Sequence, residues 1–580
     1  MTLGVTALTF TPIPQRIEGF VRDAIAAAQQ AGKLPTADAI AVPINRPKKA
    51  DQGDYACPAP MALAKTFGLK PLDIAQTIAD HMPKNDLLRE VIVAPPGFLN
   101  FWLNREWVRE QIHTIIKADD RIFQQDIGKN RRANVEFVSA NPTGPLHVGR
   151  TRGAVVGDGI ARLMEMCGWN VHREYYFNNG GRQMTLLGQS LQARYLQALG
   201  IEAELPKGGY EGDYHRDMGQ KLAGEKGGEW KDADWSVFKE YAEQEIFRSI
   251  EHTLDRIGIR FDLFFPELSL YGEPIEQVRA ELEKRGYLYY SPTRHGASEE
   301  DVAAAKAKNL APALWFKSTE FGDDEDRIII RSNGEPTYVL PDIAYHVNKL
   351  GRGFDLCIDI FGSDHFTEAQ TVNRGLQALG YDATKVKVVL TQWVHLMREG
   401  EAVGMSTRKG EIVALDDLID EIGPDAVRYF MLNRSTDATI NFDLDLAVKA
   451  SNENPVFYIQ NAHVRCAGIL RQVEERGYPN DWDKDADLSL LGESETAFIL
   501  KMLEFPDQLV FAHDNLAPHQ IAFWALDLAR AFHPLYDEIR VLHSEVPEDV
   551  AKARLKMYRA AKIVFKRVLT LMGMTAPERM

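Results

Sequence analysis

At 580 residues the chain is larger than one hydrophobic core fills, and about three domains are expected. Hydrophobic residues at 45% and charged residues at 26% fit an ordinary globular protein, and no apolar run approaches the roughly 18 to 20 residues that a membrane helix needs. The net charge of −16 argues against a uniformly basic nucleic-acid binder while leaving room for a local phosphate-binding patch, and four scattered cysteines (Cys57, Cys167, Cys357, Cys466) exclude a zinc knuckle or a dense disulfide framework.

Met1 to Arg16 lacks the basic n-region and apolar stretch of a secretory signal, so a cytoplasmic protein with free, buried thiols is expected. Ile17, Phe20, Ala24 and Ala28 recur at helical spacing, and Gly32 follows. Pro95, Pro96 and Gly97 break an apolar run, after which Leu99, Phe101 and Leu103 alternate like a half-buried strand. Residues 1–118 are therefore read as a small α/β domain.

Residues 119–445 read as the next domain. Val135 to Ser139 predicts a short strand. A Pro- and Gly-rich turn follows, then a helix carrying Val156, Ile160, Leu163 and Cys167 on one face and stopped by Gly168. Val171 to Phe177 predicts another strand, with more at Arg327–Ile330, Leu356–Phe361 and Val386–Val394. Alternating strands and helices predict a doubly wound, Rossmann-like parallel sheet. The stretch from about 185 to 320 is polar and broken by Gly208, Gly209 and Gly212, as an insertion would be.

From 446 to 580 no strand signal survives, and an all-helical domain is expected. Leu555, Tyr558, Ala561, Phe565, Val568 and Met572 step by three and four along a closing helix. Lys552, Arg554, Lys556, Arg559, Lys562, Lys566 and Arg567 occupy the same stretch without an acidic residue, which reads either as an RNA-facing stripe or as a solvated helix face.

Chemistry concentrates in three segments. Asn141-Pro142-Thr143-Gly144-Pro145-Leu146-His147-Val148-Gly149-Arg150 joins a strand to a helix N-terminus, where unpaired N–H groups and the helix dipole favour phosphates. Gly149 lets backbone or adenine approach, and His147 and Arg150 can donate to phosphate oxygens. Alone, this segment is equally a βα turn with a surface histidine. Gly362-Ser363-Asp364-His365 ends a strand, and Gly404-Met405-Ser406-Thr407-Arg408-Lys409-Gly410 follows the last sheet strand.

In this order, the three segments resemble the HIGH signature, the adenosine-side motif and the KMSKS loop of class I aminoacyl-tRNA synthetases, and Glu136 through Gly149 resembles the arginyl-tRNA synthetase family in particular. The resemblance covers the whole chain. It implies that His147, Gly149, Arg150, Met405, Ser406, Arg408 and Lys409 are catalytic. It also implies that Gly144, Gly362, Asp364 and His365, with His147, Gly149 and Met405, contact ATP. Arg150 stands where the signature has histidine, and Gly404 and Thr407 stand where the KMSKS loop has lysines. The position that supplies a compensating lysine in some relatives is Gly144 here, so Lys409 is the first candidate for the triphosphate charge.

Arginine presents five donors in a flat fork, and its pocket needs carboxylates and other acceptors. Tyr338 and Asp342 stand four apart at a probable helix start, a spacing that also fits a packed tyrosine and a capping aspartate. The resemblance implies that Tyr338 and Asp342 hold the guanidinium and that Glu136, Ser139 and Asn141 line the amino-acid site. Asn178 to Gln183 resembles a family turn, and a tight glycine turn accounts for its side chains, Gln183 excepted. For tRNA, the resemblance implies Phe98 and Asn100 at the elbow, and Tyr458, Asn461, His463, Lys562 and Lys566 in an anticodon-binding tail.

The expected reaction is ATP-dependent activation of arginine followed by transfer to tRNA(Arg). Mg2+ accompanies ATP, and no zinc, membrane or obligatory partner subunit is expected. A carboxylate nucleophile is ionised at pH 7, so positioning and charge stabilisation suffice without a general base. The competing readings are another class I synthetase, or a tRNA-binding relative that has lost catalysis at Arg150 and the altered loop.

Overall fold

The computed structural model describes residues 10–37, 40–403 and 413–580. Two compact units emerge: residues 1–127 with 450–515 and 520–580, and residues 128–449 with 516–519.

In the first unit, strands Tyr55–Cys57, Leu88–Ala94 and Phe98–Leu103 form an antiparallel sheet with Phe98–Leu103 in the centre. Helix Ile13–Gln30 turns Ile13, Ile17, Val21, Ala24 and Ala28 inward, the face its apolar spacing marks out. The two end segments of the chain, read above as separate domains, share a core in this unit. Phe123 packs against Phe10 and Phe505 with ring centroids 5.6 Å away in each case, and Arg109 Nε donates to Thr496 Oγ1 at 2.8 Å. Among the described residues no strand follows Ile440–Asp443, and the chain closes on helix Glu548–Leu571. All four cysteines are buried.

The second unit is built on five parallel strands, numbered here within that sheet: β1 (Arg132–Glu136), β2 (Asn170–Phe177), β3 (Leu263–Pro266), β4 (Leu356–Gly362) and β5 (Val386–Thr391). Their spatial order is β3-β2-β1-β4-β5, every pair parallel, so the order reverses between β1 and β4. A doubly wound sheet opens its ligand crevice at the carboxyl ends of those two strands.

Several boundaries differ from the sequence expectation. β1 ends at Glu136 rather than Ser139, because Val138 and Ser139 take φ of 69° and 42° and turn the chain out of the sheet. Arg327–Ile330 is not in the parallel sheet; it pairs antiparallel with Ala313–Phe316 in a separate three-stranded sheet. The expected strand 386–394 is two strands, β5 and Val394–Arg398, and the latter joins Glu401–Val403 and Ile440–Asp443. The polar stretch from 185 to 320 is not wholly external to the sheet, since it supplies the edge strand β3. These strands are only three to six residues long, too short for alternation to reveal which sheet receives them.

Two helices position the site. Val148–Met166 (α1) follows β1, and Val339–Gly351 (α2) precedes β4. α2 buries Leu340, Ile343, Ala344 and Tyr345 in a core with Phe265, Leu314, Phe316 and Ile329.

Candidate active site

A cavity of about 400 Å3 opens at the reversal between β1 and β4. Glu136, Ser139 and Asn141 line it from the end of β1, Tyr338 and Asp342 from the start of α2, Gly362 and His365 from the end of β4, and Arg150 from α1. The structure thus gathers the expected amino-acid residues and part of the expected ATP set around one space.

One end of the cavity is strongly acidic. Asp342 lies in the first turn of α2, and among the described residues none donates a hydrogen bond to its carboxylate. Burial pushes this carboxyl up to about 7. His346 opposes that rise, Glu267 and Glu136 add to it, and Lys349 opposes it. Tyr338, the residue at the N-cap of α2, makes no side-chain cap and stands 69% exposed at the cavity. Neither residue is therefore spent on ending the helix.

Beneath these residues lies a row of carboxylates that sequence reasoning missed in part. Asp359 on β4 and Glu174 on β2 are the direct register partners of Glu136, so three acidic side chains stand abreast across the sheet. Each is 2% exposed or less. Lys349 Nζ reaches Glu136 Oε2 at 2.5 Å and Asp359 Oδ1 at 2.6 Å. Arg352 grips both oxygens of Glu174 at 2.7 Å, and Tyr345 OH donates to Glu174 Oε1 at 2.7 Å. Burial tends to raise Asp359, but Lys349 and His346 more than offset it and hold that carboxyl well below the usual range. Glu136 remains raised, with burial as the largest cause and Lys349 opposing it. Ser139 Oγ donates to Glu136 Oε1 at 2.8 Å.

Glu267, directly after β3, is another missed lining residue. It is 4% exposed and accepts from Asn178 Nδ2 and Tyr271 OH, each at 3.1 Å. The turn 178–183 has more than a conformational task. Asn178 N–H donates to Asn141 Oδ1 at 3.1 Å, and Asn141 Nδ2 donates to Gln183 Oε1 at 2.9 Å. Asp342, His346 and Lys349 step by four and three, a helical stripe visible in the sequence. Asp359, a single acidic residue inside the apolar strand β4, was a further available signal.

His147, expected at the phosphates, is the N-cap of α1 and is not among the residues that line the cavity. Its Nδ1 accepts the Gly149 N–H at 3.1 Å, which leaves the proton on Nε2 of the neutral ring. Burial lowers the pKa of His147, and the Arg150 charge lowers it further. A side-chain Cβ at position 149 would sit 2.9 Å from the His147 ring, so glycine is required by local packing. For the first three N–H groups of α1 the expectation of unpaired donors is corrected: Val148 N–H bonds Val413 O at 3.1 Å, Arg150 N–H bonds His147 O at 3.0 Å, and Gly149 N–H is taken by the imidazole. What remains for an anion is the helix dipole, His147 Nε2–H and the Arg150 side chain.

Gly144 is in open space. A Cβ at Gly362 would collide with the Asp364 carboxylate, and His365 lies between Asp364 and Glu368 at 3.7 and 3.6 Å. Met405, Ser406, Arg408 and Lys409, with Gly404 and Thr407, lie outside the described residues. Among the described residues no group of three His, Cys, Asp or Glu side chains is arranged to hold a metal ion.

The residues expected to meet tRNA lie in the other unit. Phe98 is half-buried, whereas Asn100 is 7% exposed in the central strand. Tyr458 and Asn461 are half-buried on helix Pro455–Glu475. His463 is fully buried, with Nδ1 on Pro577 O at 2.8 Å, so the structure gives it a packing position. The basic stripe is largely neutralised within the unit: Lys562 pairs with Glu578 at 2.8 Å, Lys566 with Asp120 at 3.0 Å, Arg559 with Asp483 at 2.9 Å and Arg554 with Glu495 at 3.0 Å. Acidic partners distant in sequence were invisible to a local charge count.

Comparison with known proteins matches three consecutive family models. Residues 15–103 match the arginyl tRNA synthetase N terminal domain, 111–444 the class I (R) tRNA synthetase catalytic domain, and 459–580 the DALR anticodon binding domain. The chain is 40% identical over 575 residues to the arginine–tRNA ligase of Caldanaerobacter subterraneus subsp. tengcongensis, covering 98% of both chains. It is 38% identical over 578 residues to that of Heliobacterium modesticaldum, covering 98% of this chain and 99% of the other. The fold matches Thermus thermophilus arginyl-tRNA synthetase with a TM-score of 0.73 at 21% identity, covering 98% of this chain and 100% of that one.

Proposed function

The chain belongs to the arginyl-tRNA synthetase family, and from that premise we propose how its cavity carries the reaction. It is an arginine–tRNA ligase, which joins arginine to tRNA at the expense of ATP in translation. The observation that carries the site assignment is the Asp342 carboxylate, which faces the cavity without a hydrogen-bond donor and is flanked by Glu136 and Glu267. A guanidinium supplies the missing charge and donors together. Tyr338 closes that end, and Ser139 and Asn141 orient the amino-acid backbone.

With the guanidinium held there, the arginine carboxylate points toward the end of the cavity near α1. One carboxylate oxygen attacks the α-phosphorus of ATP, the bond from that phosphorus to the bridging oxygen breaks, and pyrophosphate leaves with the electron pair. His147 Nε2–H and Arg150 meet the phosphate charge, assisted by the α1 dipole. Gly149 admits the nucleotide. Gly362, Asp364 and His365 hold its adenosine side. Mg2+ comes with ATP on the phosphate oxygens and supplies further neutralisation. A ribose hydroxyl at the 3′ end of tRNA(Arg) then attacks the arginyl carbonyl carbon, and AMP departs.

Residues 1–118 take the tRNA elbow in this reading, and 446–580 take the anticodon, through Phe98, Tyr458 and Asn461. The protein acts as a monomer in the cytoplasm. The direct test is aminoacylation of total tRNA with each labelled amino acid, followed by sequencing of the charged species. Charging confined to arginine and to arginine isoacceptors is expected; charging with a different amino acid would overturn the assignment of Tyr338 and Asp342.

A further inference from the structure

Two observations point to a residue in the wall of the cavity whose side chain is fully buried. His346 Nδ1 lies 2.7 Å from the backbone carbonyl of Asp342. A carbonyl only accepts, so Nδ1 carries a proton. The other ring nitrogen, Nε2, lies 2.9 Å from Asp359 Oδ2. The second oxygen of that carboxylate takes Lys349 Nζ at 2.6 Å, and the same ammonium reaches Glu136 at 2.5 Å. With Lys349 between them, Asp359 is ionised and also only accepts. His346 therefore donates from both nitrogens and is an imidazolium buried beside Asp342.

Asp359 is the common anchor of these contacts. Its side chain is 0% exposed. One of its oxygens fixes Lys349 and through it the orientation of Glu136. The other fixes His346 and through it the first turn of α2, where the Asp342 backbone sits. Glu136 and Asp359 are direct register neighbours on β1 and β4, so the anchor spans the point where the sheet order reverses.

We propose that Asp359 is a positioning residue for arginine selection, setting Glu136 through Lys349 and Asp342 through His346 from one buried carboxylate. Replacing it by asparagine keeps the volume but presents an amide donor to one of two cations. Either Lys349 or His346 must then lose its acceptor or its proton, and one of the two recognition carboxylates shifts. A shift of well under 1 Å in a charged fork suffices to weaken bidentate recognition.

This inference rests on the assignment of the acidic end of the cavity to arginine, and the experiment separates the two. Aminoacylation kinetics are measured for D342N, D359N, E136Q and D359N/E136Q with arginine and ATP varied in turn. We expect D359N to raise KM for arginine about tenfold, to leave KM for ATP within about twofold, and to be less than additive with E136Q, as a shared path requires. Equal loss with both substrates, or full additivity, would mean a purely structural role and overturn the inference. If D342N raises KM for arginine and D359N does not, the site stands and the inference fails. If D342N leaves it unchanged, the site assignment fails and takes the inference with it. Should D359N not fold, H346Q decides: it removes the two-sided donor, a rise of about threefold in KM for arginine is expected, and no change overturns the inference.

Discussion

Nε2 of His215 donates to the backbone carbonyl of Thr143 across 3.0 Å, tying helix Asp213–Lys226 to the turn that delivers His147. A carbonyl can only accept, so the proton sits on Nε2, and Nδ1 has no partner among the described residues in a ring that is 6% exposed. Tyr210 stacks on the ring at 5.0 Å. The polar stretch thus braces the phosphate end of the site from outside the sheet.

H215L fills the same space and removes that donor. KM for ATP should rise about fivefold, the equivalent of one hydrogen bond of about 1 kcal/mol, while KM for arginine stays put. Parallel losses for both substrates would refute the brace.

D342N bears on the acidic end. KM for arginine should rise about 100-fold, since a charged hydrogen-bonded partner is lost. In the proposed site the guanidinium needs the ionised Asp342 carboxylate, whose pKa burial pushes up to about 7. KM for arginine should therefore rise about tenfold between pH 8 and pH 6, and D342N should abolish that dependence.

Stability of the unliganded protein follows the same group with a fixed sign. The Asp342 carboxyl is raised from 3.8 to about 7 on folding, so its contribution is complete at acid pH and is lost as pH rises through 7. D342N should accordingly raise Tm relative to native protein at pH 8 and leave it unchanged near pH 4. Differential scanning calorimetry at the two pH values reads this; a destabilised D342N at pH 8 would contradict it.

H147N separates two roles of one ring. Asparagine is a good N-cap and still accepts the Gly149 N–H, but it cannot place a donor where Nε2–H stands. The rate of pyrophosphate exchange should fall about 10²-fold or more with Tm unchanged. An unaltered rate would remove His147 from phosphate stabilisation.

For tRNA, the ion pairs of Lys562 with Glu578 and Lys566 with Asp120 mean that little free charge is lost on substitution. K562A/K566A should leave KM for tRNA within about twofold and the salt dependence unaltered. A reduced slope with salt would assign these lysines to phosphate contacts instead.

The sequence made the parallel sheet and α1 legible because their apolar periodicity is local. It also pointed to residues that line the cavity at the end of β1 and the start of α2, through the segment around His147 and the Tyr338–Asp342 spacing. Three kinds of feature were not legible. The exit of the chain after Glu136 depends on positive φ at Val138 and Ser139, which no β-branched or serine residue advertises. The carboxylate row of Asp359, Glu136 and Glu174 depends on strand register. The neutralisation of the closing helix depends on Asp120, Asp483 and Glu495, which only tertiary packing brings near.

In the proposed reaction an acidic fork selects arginine for adenylation by this chain. ATP–pyrophosphate exchange with each of the twenty amino acids, with and without total tRNA, tests it most directly. Exchange with arginine alone is expected when tRNA is present. Exchange with any other amino acid, or none with arginine while tRNA is bound, would contradict it.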